Sequence, residues 1–556
     1  MYMFMIIYLM FLNFFFWILF LMFLLFNLKI LIEWNFYFLH SLKIEFIIFL
    51  DWMTLIFAST VTLITSIVIL YSLNYMEGDY YLSRFIMLIL IFMLSMILMI
   101  LSPNLISILL GWDGLGLSSY CLVVYYQSKK SFNSSMVTIL MNRIGDIMLL
   151  MSIGLFMKFG SWNFLFLNKI NELFMLIIFI AAITKSAQIP FSSWLPLAMA
   201  APTPISSLVH SSTLVTAGVY LLIRFNFLFN KKLMFMFLIL SCLTMFMSGL
   251  SANFEFDLKK IIALSTLSQL GLMILTLCLN YPKLTFFHLI THAMFKSLLF
   301  LCSGIMIHNC LDNQDIRFLS FLSMNMPLIN LIFNVASFTL CGMPFLSGFY
   351  SKDLIVEMFL MNNFNWLLMF MMFMSMYMTI SYTFRLIYYI SLKNKKINFF
   401  YFYNSFNLMN YSIYILFLFS IFYGSILNWL MFSSLNLIFL PKMLKLLIYL
   451  FLLGGLILGL ILPYFIKLKF MFYKFNMILY KFFNFMWFLS IMLKKNKINI
   501  LVLSNIYIMN MDNSWLELIT FKMKNYLIFL LINKKNNLIL FFFLMMIPYF
   551  LMIFLI

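Results

Sequence analysis

Apolar residues run along the chain in blocks of about twenty, separated by short polar punctuation. The blocks predict helices at 4–27, 47–72, 84–102, 104–126, 133–158, 173–200, 203–225, 232–251, 256–279, 284–308, 328–361, 365–391, 410–432, 443–466 and 538–556. At 1.5 Å per residue, most are long enough to cross about 30 Å of hydrocarbon. Membrane-spanning strands would instead alternate over about ten residues. The pattern therefore predicts an all-α, polytopic membrane protein with about 15 transmembrane helices.

Two blocks are too long for one crossing and are interrupted. The block at 173–200 contains Pro190 and Pro196, and the block at 328–361 contains Gly342, Pro344 and Gly348. Pro190 has no N–H, so the Ser186 carbonyl is expected to lose its helical partner. A lysine stands beside each interruption: Lys185 and Lys352. Broken helices at membrane depth are tolerated where they line a polar cavity, and paired interruptions point to a transport site.

Order along the chain adds a second inference. Five windows fill 84–225 and five more fill 232–391, each set with its lysine-bearing broken helix in fourth place. An odd number of crossings turns the second unit upside down, the arithmetic of an inverted repeat. The expected organisation is 1–83 amino-terminal spans, 84–225 first five-helix repeat, 232–391 second, inverted repeat, and 392–466 additional spans. Residues 467–537 are apolar but interrupted by Lys, Asn and a polar stretch at 510–513. They read as a lateral amphipathic helix along the membrane surface, followed by a terminal anchor at 538–556. One or two irregular spans plus loops is the other reading of the same stretch.

Composition agrees with the pattern. Of the 556 residues, 65% are hydrophobic and 9% are charged, where a soluble domain carries about a quarter charged. The net charge of +19 would suggest nucleic acid in a soluble protein. Here the basic residues sit in short loops and near helix ends, as Lys129-Lys130, Lys231-Lys232, Lys393-Asn394-Lys395-Lys396 and Lys534-Lys535 do. That placement fits snorkelling and contact with acidic lipid headgroups, with no nucleic acid as partner. The 49 Met and 71 Phe against 17 Gly resemble translation of an AT-rich coding sequence, as in animal mitochondrial genomes. Six cysteines lie without a C-x-x-C pair and read as small buried residues. The apolar start at Met1 is expected to be a retained first span.

An ionisable residue in mid-span costs a few kcal/mol or more, so each one calls for a reason. Asp113 lies in Gly111-Trp112-Asp113-Gly114, within the 104–126 window. Arg143 and Asp146 are three apart on one helical face, either a local ion pair or part of a site. Burial disfavours the charge of Lys185 and a nearby carboxylate favours it, the balance a proton carrier needs. His210 stands among Ser206, Ser207, Ser211, Ser212 and Thr213, a hydroxyl-rich stretch able to hold waters. His288, His292 and Lys296 recur every four residues and so share a helix face. A metal site is not expected there, because H-E-x-x-H lacks its Glu and the lysine would repel a cation. Lys352-Asp353, with Glu357 one turn later, follows the second break, as a loop ion pair or as the counterpart of Lys185. No phosphate loop, dinucleotide fingerprint or catalytic triad signature is present in the sequence.

The stretches 111–126 (GWDGLGLSSYCLVVYY), 142–146 (NRIGD), 185–188 (KSAQ), 194–222 (WLPLAMAAPTPISSLVHSSTLVTAGVYLL), 291–296 (THAMFK) and 348–353 (GFYSKD) resemble the family of the fifth membrane subunit of respiratory complex I. Together they cover the chain from about 84 to 390. The resemblance implies an antiporter-like subunit of the membrane arm, in the mitochondrial inner membrane, beside other membrane-arm and accessory subunits. It implies a proton path through Asp113, Lys185, His210, the row His288–His292–Lys296, and Lys352. Arg143, Asp146, Asp353, Glu357, Pro190 and Pro344 would support it. It implies no cofactor in this chain, with NADH, FMN, iron-sulfur clusters and quinone in partner subunits. The family often has Glu where this chain has Asp113, and many relatives have three spans before residue 84 where two are read here. Asp113 and Lys185 are expected to pair; at about 4 Å and an effective dielectric of about 20 their attraction is about 4 kcal/mol. A multisubunit cation/proton antiporter resembles this family in the same helices, and a structural membrane scaffold is the remaining alternative.

Overall fold

The computed structural model describes residues 2–39, 42–163, 172–320, 325–362, 365–393, 408–432, 438–467, 480–489 and 502–507. The chain opens with α1 (Tyr2–Phe26), a β-hairpin of β1 (Ile30–Leu39) and β2 (Leu42–Leu50), and α2 (Trp52–Tyr75). Next come α3 (Leu82–Leu101), α4 (Leu105–Val123), α5 (Lys129–Phe156) and α6 (Glu172–Lys185). A short α7 (Trp194–Leu197) leads into α8 (Thr203–Arg224), which is π-helical over Ser206–Thr213. Then follow α9 (Lys231–Phe254), α10 (Leu258–Cys278), α11 (Pro282–Asn309) and α12 (Pro327–Cys341). After the second break, a π-helical turn at Phe349–Asp353 starts α13 (Leu354–Met361). The last long helices are α14 (Trp366–Ile387), α15 (Leu408–Met431) and α16 (Lys442–Lys467).

Twelve helices among the described residues are long and apolar enough to cross a membrane. Their bounds follow the apolar windows closely. One window needs correction: 47–72 begins inside β2, and its helix starts at Trp52. Asp51 sets that start through a capping box, its carboxylate accepting from the Thr54 N–H at 2.9 Å while the Thr54 hydroxyl accepts from the Asp51 N–H at 3.0 Å. The hairpin is the local exception to an all-α chain; its strands pair antiparallel from Ile30 opposite Leu50. Ser128 and Ser131 cap α5 in the same way as Asp51 and Thr54. Prolines open α11 and α12 at a position where a missing N–H costs nothing.

The two long windows are broken as expected, with one difference in cause. Helix α6 already ends at Lys185, before Pro190 is reached, and Ala187 takes a left-handed φ of 54°. The Trp194 indole donates to the Thr184 carbonyl at 3.1 Å, and the Gln188 side chain donates to the Ser186 carbonyl at 3.3 Å. The polar turn, more than the proline, ends the helix and satisfies its last carbonyls. At the second break Gly342 takes φ 89° as the left-handed cap of α12. Pro344 lies inside that break. Gly348 is forced by contact, since a Cβ there would sit 1.8 Å from the Thr339 carbonyl oxygen.

Helix α11 is the axis of the fold. It is buried along its length and touches α2, α8, α10, α12 and α15. Helix α8 is equally enclosed. Peripheral helices such as α1 and α16 keep apolar side chains on the outside, as lipid requires. The segment at 480–486 meets α9, where the Tyr480 hydroxyl donates to the Phe254 carbonyl at 3.2 Å. The expected lateral helix at 467–537 otherwise lies outside the described residues, apart from 502–507, and so does the terminal anchor at 538–556.

Candidate functional site

The expected polar residues fall into two clusters with His210 between them. In the first, α4 brings Asp113, α5 brings Arg143 and Asp146, and the end of α6 brings Lys185. Arg143 lies 3.3 Å from Asp146 and 4.0 Å from Asp113, so the expected local pair also reaches across to α4. Lys185 is fully buried, and its ammonium donates to the Trp112 carbonyl at 3.2 Å, over the indole at 5.1 Å. The expected contact pair of Asp113 with Lys185 is therefore corrected. Among the described residues no carboxylate comes within 4.0 Å of that ammonium. The Asp113 side chain is 38% exposed and turns to the outside of the chain. Asp146, at 7%, is the buried carboxylate of the two.

His210 sits in the π-helical stretch of α8, fully buried, its ring 6.2 Å from that of Trp194. Neither ring nitrogen has a hydrogen-bond partner among the described residues. The extra residue of a π-turn marks functional helices often. Here the Ser212 and Thr213 hydroxyls donate to the Leu208 carbonyl at 2.9 and 2.7 Å, holding the widened turn.

The second cluster surrounds α11. His288, His292 and Lys296 are all buried on one face, with the two rings 6.2 Å apart. The Lys296 ammonium donates to the Ser265 hydroxyl of α10. His288 is held at both ring nitrogens, Nδ1 by the Ser351 hydroxyl at 2.9 Å and Nε2 by the Gln269 side-chain oxygen at 3.2 Å. His292 has neither nitrogen partnered among the described residues.

Lys352 is buried in the π-helical turn after the second break. Its ammonium donates to the Leu340 carbonyl at 3.2 Å, the Cys341 carbonyl at 3.5 Å and the Thr379 hydroxyl at 3.2 Å. The lysine thus caps the end of α12, where the helix dipole favours a cation. The alternative of a loop ion pair with Asp353 is not realised, since among the described residues Lys352 has no carboxylate within 4.0 Å. Asp353 and Glu357 instead line an open cavity of about 650 Å³ with Tyr350, Asn428, Lys445 and Tyr449.

Several participants had no local signal. Ser351, Gln269, Ser265 and Thr379 are ordinary polar residues in apolar runs, and only the packing of α10, α11 and α14 assigns them partners. Lys259 is buried at the start of α10 and donates to the Ala201 carbonyl at 3.2 Å. Asp51, just before α2, and Arg224, the last residue of α8, form a two-bond ion pair at 2.7 and 2.8 Å, to which the Tyr220 hydroxyl adds. Burial alone would raise the Asp51 carboxyl; the hydrogen bonds and charge of Arg224 outweigh it and hold it below its ordinary value. Among the described residues no group of three or more His, Cys, Asp or Glu is placed to hold a metal ion.

A many-helix membrane protein with a buried lysine at each of two breaks and a polar helix between them defines an antiporter-like membrane subunit. Residues 102–379 match the family described as NADH:quinone oxidoreductase/Mrp antiporter, TM. Residues 34–86 match NADH-Ubiquinone oxidoreductase (complex I), chain 5 N-terminus, and 382–556 match NADH dehydrogenase subunit 5 C-terminus. NADH-ubiquinone oxidoreductase chain 5 of Aedes aegypti is 53% identical over 464 residues, 80% of this chain and 79% of that one. The protein of the same name from Locusta migratoria is 50% identical, with 87% of this chain and 86% of that one covered. The chain belongs to the NADH-ubiquinone oxidoreductase chain 5 family. Among solved structures, the Mrp complex from Dietzia sp. DQ12-45-1b superposes with a TM-score of 0.68 at 22% identity, over 81% of this chain and 53% of that one. An archaeal membrane-bound sulfane sulfur reductase gives 0.62 at 21%, over 74% of this chain and 85% of that one. Those two share the fold alone.

Proposed function

We propose that protons cross the membrane arm of NADH-ubiquinone oxidoreductase along Asp113, Lys185, His210, the row His288–His292–Lys296, and Lys352. As a chain 5 family member, this protein is a multi-pass, proton-translocating subunit of that enzyme, with the other subunits of the complex as partners. The antiporter-subunit alternative yields to the terminal family matches and to the relatives' names. The reading places the chain in the mitochondrial inner membrane, in contact with acidic lipid and not with nucleic acid. NADH, FMN, the iron-sulfur clusters and quinone are assigned to other subunits, and the two five-helix units, 84–225 and 232–391, to an inverted repeat.

One observation carries the path. Lysines at two helix breaks, and a third on α11 between them, are buried without a carboxylate contact among the described residues. An ammonium so placed is held by neutral oxygens, so its charge is poised between burial and the field of its neighbours. Asp146 and Asp113 supply that field at Lys185. Arg143, shared between the two carboxylates, can release either one as the local charge changes. The test is Lys296→Met in the assembled oxidoreductase, in sealed vesicles. Protons moved per electron should fall while the complex still forms on a native gel. A native ratio in that variant rejects the path through α11.

A further inference from the structure

We propose that Ser351 is a positioning residue that reads the proton on His288 and reports it to the helix break carrying Lys352. The inference rests on the proton path above and assigns that path a switch of its own.

The hydrogen bonds around His288 have a direction. The Gln269 side-chain oxygen only accepts, so Nε2 of His288 carries the hydrogen toward it at 3.2 Å. In the neutral ring Nδ1 is then the acceptor, and the Ser351 hydroxyl donates to it at 2.9 Å. The Thr291 hydroxyl lies 3.2 Å from Ser351 Oγ and 3.1 Å from the His288 carbonyl, and its one hydrogen is shared between those two acceptors. The chain runs one way, from Ser351 through His288 to Gln269.

Adding one proton at Nδ1 reverses a single link. His288 now donates from both nitrogens: Nε2 still to Gln269, Nδ1 to Ser351 Oγ. The Ser351 O–H bond stays intact, and its hydrogen turns away. Two acceptors wait for it, the Gly348 carbonyl at 3.4 Å and the Ser347 carbonyl at 3.5 Å. Both belong to the break, and Gly348 already touches Thr339 on the far side of it. Each protonation state of His288 therefore has its partners in place. The protonated state pulls on the backbone that carries Lys352, one residue from Ser351. His210 and His292, with no partner at either ring nitrogen among the described residues, have no such reporter. The titratable and charged groups near His288 are His292, its ring 6.2 Å away on the same helix, and Lys352, the residue after Ser351 on the break.

Ser351 is fully buried, and alanine fits wherever serine does, so Ser351→Ala removes the hydroxyl and little else. The experiment compares Ser351→Ala, Ser351→Thr, Gln269→Leu and Lys352→Gln in the assembled oxidoreductase, measuring protons moved per electron in sealed vesicles. The expected result is that Ser351→Ala loses the same share of pumping as Lys352→Gln, and that Ser351→Thr, which restores a hydroxyl, recovers it. Gln269→Leu, which frees the tautomer, should lose the same share, and it decides the matter if Ser351→Ala does not assemble. Native pumping in Ser351→Ala beside loss in Lys352→Gln overturns the switch and leaves the path standing. Native pumping in Lys352→Gln overturns the path, and the switch with it. A Ser351→Thr chain as poor as Ser351→Ala shows that the hydroxyl is not the working part, and also overturns the switch.

Discussion

Replacing Lys352 separates two jobs that its position combines. Its ammonium is the donor to the Leu340 and Cys341 carbonyls, which stand among the last four of α12 and have no helical partner. Stripping a buried acceptor of its donor costs about 1–3 kcal/mol, so Lys352→Ala stands to lose about 2–6 kcal/mol from two carbonyls alone. Set against a net stability of about 5–15 kcal/mol, that is enough to reduce the amount of assembled complex. Alanine therefore mixes the loss of a cap with the loss of a carrier. Lys352→Gln does not. Its carboxamide is one atom shorter, still offers two N–H donors, and takes up no proton near neutral pH. The expected outcome is that Lys352→Gln assembles close to native on a native gel while protons moved per electron fall in sealed vesicles. Lys352→Ala should lose both. Native pumping in the Gln variant would refute the reasoning, because the site would then need only a donor.

Four further outcomes follow from the geometry. Asp146→Asn should lower pumping at least as far as Asp113→Asn, since Asp146 is the more buried carboxylate and also holds Arg143 at the shorter distance; severe loss in Asp113→Asn alone would reverse that weighting. Asp51→Asn should cost about 3–5 kcal/mol by leaving Arg224 unpaired, read as a lower midpoint of thermal dissociation, and a midpoint within error of native would count against the pair as a tie between α2 and α8. The same pair sets a pH window: the Asp51 carboxyl is lowered in the folded chain, so its contribution is complete above the ordinary value of 3.8 and fades as pH falls through the lower folded value. Gly348→Ala should disrupt assembly outright, its Cβ meeting the Thr339 oxygen at 1.8 Å, and a stable Ala variant would show that the two halves of the break do not touch.

Signals confined to a short stretch of chain were legible in the sequence. Apolar windows placed the long helices, because a lipid-facing span must stay apolar over its whole length. Gly342, Pro344 and the lysines placed both breaks, because each is conspicuous in an apolar run. The hairpin escaped for the same reason. Ile32–Asn35 and Leu42–Phe46 alternate only briefly, and the unbroken apolar run after Glu45 reads as the start of the next helix. The proline at 190 was given a task that the turn at Ala187 had already performed. Partners distant in sequence were beyond reach: Asp51 and Arg224 lie 173 residues apart, and His288 and Ser351 lie 63 apart.

The two break lysines show where a local signal stops. Each stands in the fourth window of its set, beside an interruption, and by order alone they are equivalent. Their partners are not. Lys352 folds back on the end of its own broken helix and also holds the Thr379 hydroxyl of α14, so its surroundings change when the break or α14 moves. Lys185 leaves its helix end to Trp194 and reaches across to the Trp112 carbonyl of α4, under the field of Asp146 on α5. Its surroundings change when α4 or α5 moves, and those helices carry Asp113 and Arg143 on the outside of the chain, 38% and 45% exposed. The surroundings of Lys185 are thus set by the helices across from its own, and those of Lys352 by the break and by the α14 hydroxyl beside it.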